Sequence, residues 1–270
     1  MIVKYLIIIL LLLLILLFFF HINIQFKHHN LENLENNTNI VDYQNIPVVV
    51  ICWNNLSFIK NFVEQFKNYP NPLLLLDNNS NYPPIFDYYE QIQKENPDKV
   101  KVMLLEKNYG HEVYKTLHDQ LPDIYILSDP DLQINPYMPQ NFAEILGQLS
   151  EKYHSYKVGA ALDISDHDKF IQCDNYTKNQ SIYEWESQFW KRIVPNDTYE
   201  LYNADVDTTF CLVNRNYEDN GNNLRIAGDF TMKHLPWYKD YIKDNTPNDE
   251  LEHWKSHNKS SSILWTCLKL

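Results

Sequence analysis

Apolar residues fall into short blocks separated by polar turns along most of this chain, and the spacing within the blocks alternates between strand-like and helix-like. Ile46-Pro47-Val48-Val49-Val50-Ile51-Cys52-Trp53 is a β-branched run of buried-strand length that stops at Asn54-Asn55. From Ser57 to Lys67, the residues Phe58, Phe62, Val63 and Phe66 recur at helical spacing. Pro70-Asn71-Pro72 then breaks the helix before Leu73-Leu74-Leu75-Leu76 ends on Asp77. The same alternation predicts a helix over 84–95, a strand over 100–105, a helix over 112–120 and a strand over 124–127. A helix from beyond Tyr137 to about Glu151 and a strand over 158–162 follow, then an aromatic-rich stretch over 183–190 and strand-like segments within 201–213.

Short apolar strands alternating with amphipathic helices imply an α/β domain, with a largely parallel sheet covered on both faces. Such sheets take ligands at the carboxyl ends of their strands. Polar residues collect at those ends: Asn54 and Asn55, Asp77 to Ser80 with Asn79 among them, Asn108 with Gly110-His111, and Asp129-Pro130-Asp131.

Ahead of this domain, residues 1–24 are one apolar block from Tyr5 through Phe20, with only Lys4 near its start. About 20 such residues span a bilayer. No small-residue cleavage site follows, so an uncleaved single-pass membrane anchor is expected. Residues 25–45 are polar and rich in Asn and Glu, which suits a stem, and 46–270 are left as one catalytic domain. Lys4 and Lys27 nearly balance across the span; the acidic, polar residues that follow favour a type II orientation with the domain outside the cytosol.

The net charge of -12 and pI near 5.2 argue against nucleic acid as a partner, which would require clustered Lys and Arg. An acidic chain binds a nucleotide diphosphate when a cation supplies the missing charge. Cys52, Cys173, Cys211 and Cys267 are scattered without metal-type spacing; a disulfide framework is unusual at this size, and two of them fall at strand positions as core residues. Glycosylation sequons at Asn36, Asn55, Asn78, Asn175, Asn179, Asn196 and Asn258 agree with a lumenal domain, although so asparagine-rich a chain generates them readily.

Asp129 and Asp131 follow a buried strand, with Pro130 stiffening the turn between two carboxylates that can face one hard cation such as Mn²⁺ or Mg²⁺. An Asp-Pro-Asp turn chosen for its local geometry is the alternative. Asp77 is placed either to accept from a base or ribose or to cap a turn. His234, within Lys233-His234-Leu235-Pro236-Trp237-Tyr238, is a candidate third metal ligand or a structural histidine, and Lys233 a candidate phosphate partner. Asp207, Glu184 and Glu186 are candidate bases for an acceptor hydroxyl, against the alternative of solvated loop carboxylates. Trp185, Trp190, Trp237 and Tyr238 can stack on sugar rings, but aromatics make up 14% of the chain and core packing competes.

These residues resemble the nucleotide-sugar glycosyltransferases of the A-type fold, particularly family-2-like bacterial and viral proteins. The likeness runs from Pro47 to about Thr266. Val48-Val49-Val50-Ile51-Cys52-Trp53-Asn54, Leu76-Asp77-Asn78-Asn79-Ser80-Asn81-Tyr82-Pro83-Pro84 and Asn108-Tyr109-Gly110-His111 are similar to the donor-binding half. Leu127-Ser128-Asp129-Pro130-Asp131-Leu132 is similar to the metal-binding Asp-x-Asp element. Val206-Asp207-Thr208-Thr209-Phe210, Ala227-Gly228-Asp229-Phe230 and the His234 segment look like paired elements of a subgroup.

The resemblance implies that Asp77 binds the nucleoside, that Asp129 and Asp131 hold Mn²⁺ or Mg²⁺, and that His234 adds a ligand. It also implies a nucleoside-diphosphate sugar as donor, UDP-sugar favoured, and a glycan or glycoprotein acceptor. A lectin-like protein that keeps the fold, or a nucleotidyltransferase, are the alternatives. No glycine-rich phosphate loop supports a kinase or ATPase.

Overall fold

The computed structural model describes residues 41–173, 176–177, 179–257 and 267. The expected anchor over 1–24 and nearly all of the stem lie outside them. Among the described residues, no helix is long and apolar enough to cross a membrane.

Strands β1 (Val48–Cys52), β2 (Leu73–Asp77), β3 (Val100–Leu104) and β4 (Ile124–Ser128) lie in the order β3-β2-β1-β4, all parallel. Helices α1 (Leu56–Gln65) and α2 (Pro83–Glu95) connect the first three. The helix expected over 112–120 is a short α3 (Val113–Thr116) followed by a 3-10 turn at His118–Gln120.

Every residue of β1 is buried, because both faces of the sheet are covered. On one face Val49, Ile51, Leu76 and Leu127 pack with Val113, Tyr114 and Leu117. On the other, Phe66 at the C-cap of α1 meets Phe62, Phe210 and Phe142, the last from α4 (Phe142–Tyr153), with ring centroids 4.9–6.0 Å apart.

The second half departs from the parallel expectation. Beyond β4 the sheet continues through β9 (Cys211–Asn214), β6 (Lys157–Ala160), β10 (Leu224–Ile226), β8 (Leu201–Asn203) and β7 (Ile193–Val194). The pairs β4–β9, β9–β6, β10–β8 and β8–β7 are antiparallel, while β6–β10 is parallel. All but β8 and β9 still run the same way as β1.

Three further elements escape the sequence periodicity. β5 (Leu132–Gln133) and β11 (Lys233–His234) form a separate two-stranded ladder, and the aromatic stretch over 183–190 contains a short α5 (Ile182–Ser187). Helices α6 (Lys239–Asn245) and α7 (Asn248–His257) close the described chain. Helix α7 returns to the first half. Glu250 caps α1 by accepting from Ser57 N at 3.0 Å, the Tyr82 hydroxyl donates to Asp249 at 2.6 Å, and Trp254 stacks on Phe58 and donates to the Asn54 carbonyl.

Cys173 and Cys267 are joined by a disulfide across 94 residues of sequence, a pairing their separation hid. Cys52 and Cys211 are free and buried in strands, as expected.

The connection from β8 to β9 begins at one end of the sheet and must reach the other, so residues 204–210 climb across a sheet face. They cross β6 at Gly159. A β-carbon there would meet Val206 Cγ1 and Cys211 Cβ, each at 2.7 Å. Gly159→Ala is therefore expected to destabilise the fold by about 1–3 kcal/mol through overpacking; urea unfolding of the two proteins checks this, and equal midpoints would refute the close crossing.

Candidate active site at the strand ends

β4 delivers Asp129 to the carboxyl end of the sheet, where Pro130 ends the strand by removing a backbone donor. The chain then turns into β5, which is gripped from two directions. Gln65 at the end of α1 donates to the Leu132 carbonyl at 3.0 Å and accepts from Ile134 N at 2.7 Å. On its other side β11 pairs with it, Lys233 opposite Gln133 and His234 opposite Leu132, and Leu235 N donates to the Asp131 carbonyl at 2.8 Å.

That ladder brings His234 to the acid pair. Its Nε2 lies 3.5 Å from Asp131 Oδ2, and its ring meets Trp237 edge-on at 4.9 Å. The remaining polar atoms, His234 Nδ1 and Asp131 Oδ1, are buried without hydrogen-bond partners among the described residues. Thr208 Oγ1 donates to Asp129 Oδ2 at 2.6 Å.

Burial, followed by the charges of Asp131 and Asp207, pushes the Asp129 carboxyl up to about 7 against the opposing Thr208 hydrogen bond and His234. Burial disfavours a charged His234, but Asp131, Asp129 and Glu186 outweigh it and raise the imidazole above its ordinary value. The carboxylates of the site thus oppose one another's ionisation, and His234 partly offsets them.

Its donor atoms suit a hard divalent cation: two carboxylates and an imidazole, with one oxygen and one nitrogen left buried and unpartnered. Among the described residues, no group of three or more such side chains is already drawn together around a metal position.

Other candidates are placed differently. Asp207 is exposed beside this cluster, one residue before Thr208. Glu186 is buried and ion-paired with Arg225; burial raises its carboxyl despite that partner. Glu184 forms a capping box with Ser181 at the start of α5.

Lys233 faces away from His234, as neighbours on a strand must, and pairs with Asp166. The phosphate role expected of Lys233 finds no support in that placement. Asn54 is 1% exposed and adopts a left-handed φ of 56°; its side chain accepts from Asn81 N and Tyr82 N, clamping the β1 end to the β2 loop. Asp77, also 1% exposed, accepts from Ser80 N at 2.7 Å and from the Tyr89 hydroxyl at 2.8 Å. Both are turn anchors in this arrangement. Asn79, with φ 65°, and His111 are exposed on the β2 and β3 end loops.

Sequence reasoning missed Thr208, Lys157 and Arg225, and it missed Tyr176. Burial, with the charges of Glu186, Asp131 and Asp207 adding, pushes the Tyr176 hydroxyl up to about 12. A lone Thr, Lys, Arg or Tyr carries no positional signal until the 204–210 crossing is known.

No protein-family model matches the chain, and no curated protein matches it. Parts of the chain are similar to several solved structures. GalNAc-T7 with UDP, GalNAc and Mn²⁺ aligns at 14% identity over 70% of this chain and 43% of that one, with a TM-score of 0.48. The mannosyltransferase PcManGT from Pyrobaculum calidifontis, in complex with GDP-Man and Mn²⁺, aligns at 12% identity over 44% and 35%, with a TM-score of 0.37. S. aureus TarS aligns at 18% identity over 44% and 22%, with a TM-score of 0.34. The chain covers less than half the length of each. With overlap this partial, activity and ligands rest on the chain's own residues.

Because the Asp129 carboxyl sits near 7 when folded, against 3.8 ordinarily, the folded protein binds more protons than the unfolded chain between those values. Its contribution to stability therefore falls as pH rises through that window. Asp129→Asn has no such proton to lose. Without divalent metal, the difference in Tm between variant and parent should move in the variant's favour by at least about 2 °C from about pH 5 to about pH 8. A difference that does not change with pH would remove the buried-charge account.

Proposed function

We propose that this chain is a divalent-metal-dependent glycosyltransferase that moves a sugar from a nucleoside-diphosphate donor, UDP-sugar favoured, to a hydroxyl of a glycan or glycoprotein. One observation carries the reading: His234 lies 3.5 Å from Asp131, two residues past the Asp129 that follows a central parallel strand, and among the described residues Asp131 Oδ1 and His234 Nδ1 are buried and unpartnered. Strand ends of such sheets are where nucleotides bind.

Asp129, Asp131 and His234 would hold Mn²⁺ or Mg²⁺, which supplies Lewis-acid stabilisation of the leaving nucleoside diphosphate. Thr208 fixes the orientation of Asp129 through its 2.6 Å hydrogen bond. Asp207, exposed beside them, is the carboxylate open to an acceptor hydroxyl and able to take its proton in a direct displacement. Glu186 serves as the buried counter-charge of Arg225 rather than as a base. Asn79 and His111 are the proposed donor contacts on the strand-end loops, with Asn54 and Asp77 holding those loops in shape.

The proposal extends to location: residues 1–24 anchor the protein, type II, with the catalytic domain in an oxidising, extracytosolic compartment. The Cys173–Cys267 disulfide supports that compartment, since such bonds persist where thiols are not kept reduced. Asn179 and Asn196 are exposed and suit glycosylation there, whereas Asn78 is 3% exposed and bonded to the Tyr109–Gly110 backbone.

The detergent-solubilised full chain, screened against nucleotide-sugars with and without Mn²⁺, should release intact nucleoside diphosphate only with metal. Asp131→Asn should lower that turnover by about a hundredfold or more while remaining folded, as loss of a ligand exceeds the 10–100-fold cost typical of outer-shell changes. Cleavage between the α and β phosphates would indicate a nucleotidyltransferase, and glycan binding without nucleotide or metal affinity a lectin.

Thiol labelling of unreduced, unfolded protein from its native membrane should modify Cys52 and Cys211 but neither Cys173 nor Cys267. Labelling of all four would overturn the compartment.

A further inference from the structure

Two buried cations have no part in the chemistry above. Lys157, at the start of β6, is 5% exposed. Its ammonium donates to the Tyr114 hydroxyl at 3.2 Å and to the carbonyls of Val206 and Asp207, each at 3.1 Å. An ammonium has three donors, and all three are used. Among the described residues, no carboxylate lies within ion-pair distance of it. Arg225, in β10, is 4% exposed. Its Nε donates to the Asp205 carbonyl at 2.7 Å, its Nη1 pairs with Glu186, and its guanidinium lies 4.0 Å over the Phe189 ring.

Three successive carbonyls, those of Asp205, Val206 and Asp207, thus each accept from a buried cation. Register explains why. Arg225 stands opposite Gly159, and Lys157 lies two residues before Gly159, so both side chains leave the same sheet face on either side of the gap where the 204–210 segment crosses. Burying a cation costs stability unless it is hydrogen-bonded or paired, and here the backbone of one loop supplies three of the acceptors, with the Tyr114 hydroxyl and the Glu186 carboxylate as further ones.

We propose that Lys157 and Arg225 are positioning residues that hold the Asp205–Asp207 backbone so that Thr208 reaches Asp129 and Asp207 stands beside the acid pair. The proposal rests on the reading of Asp129 as a metal ligand and Asp207 as the acceptor's base. A loop free to shift by about 1 Å would lose the Thr208 hydrogen bond and the placement of Asp207, a displacement that costs enzymes about a hundredfold in rate.

The test compares the full chain with Lys157→Met, Thr208→Val and Arg225→Lys by hydrogen exchange at residues 204–210, by Mn²⁺ titration and by steady-state turnover. Lys157→Met should lose exchange protection in that segment and not elsewhere, weaken Mn²⁺ binding by about tenfold or more, and lower kcat while donor KM stays within about twofold. Thr208→Val should weaken Mn²⁺ binding similarly with protection intact. Arg225→Lys, which keeps the charge but not the fork, should fall between parent and Lys157→Met in protection.

Protection, Mn²⁺ affinity and kcat all at parental level in Lys157→Met would overturn the proposal. If that variant does not fold, parental Mn²⁺ affinity in Thr208→Val overturns it instead. A parent that binds no Mn²⁺ and turns over no donor defeats the glycosyltransferase reading, while exchange in the 204–210 segment still decides whether the cations hold the loop.

Discussion

The register of one two-residue ladder decides whether this molecule has a site at all. β11 is bonded on both sides of its segment: Met232 exchanges hydrogen bonds with Ala161 and Asp163, and Leu235 N reaches the Asp131 carbonyl. Because side chains alternate along a strand, slipping this segment by one residue would exchange His234 for Lys233 beside Asp131. An imidazole able to lend a lone pair would be replaced by an ammonium that cannot. The flanking contacts prevent the slip: Lys233 is held by Asp166, and the Tyr238 hydroxyl donates to the same carboxylate at 2.7 Å. The acid that captures Lys233 therefore acts on the site from the far face of the strand.

The electrostatics of the site and of the whole chain point the same way. The charges of Asp131 and Asp207 act on Asp129 in a protein of net charge -12, and the buried cations Lys157 and Arg225 are turned to backbone carbonyls and Glu186. Packing alone would not select such an arrangement, since each buried carboxylate raises the cost of ionising the next. The raised Asp129 carboxyl records that cost. Strain of this kind is tolerated where function uses it, and here a divalent cation would relieve it.

The sequence made the first half legible because β-branched and leucine runs of strand length alternate there with helices marked by Pro and Asn. Pro70-Asn71-Pro72 and Asp129-Pro130-Asp131 mark their boundaries to within a residue or two. The second half was not legible in the same way. β5, β7 and β11 have two residues each, too few for any period, and β9 enters the sheet antiparallel because of where its connection must cross. Asp129, Asp131 and His234 were visible by residue type, and their meeting depends on a ladder that no spacing predicts. Asn54 and Asp77 were visible too, but their polar atoms turn inward to the loops. That distinction exists only in three dimensions.

Helix α7 gives the chain an order of events as well as a shape. Asn54 and Tyr82 sit on the loops at the ends of β1 and β2 and Ser57 in the first turn of α1, yet their partners Trp254, Asp249 and Glu250 arrive 200, 167 and 193 positions later. At about 5–20 residues per second, a ribosome needs about 10–40 seconds to supply them. Throughout that interval the early strands can pair, but the loops at their carboxyl ends lack the helix that caps α1 and buries Phe58. The parallel half is thus made first and finished last, and a nascent chain cannot fix those loops before its final described helix has emerged.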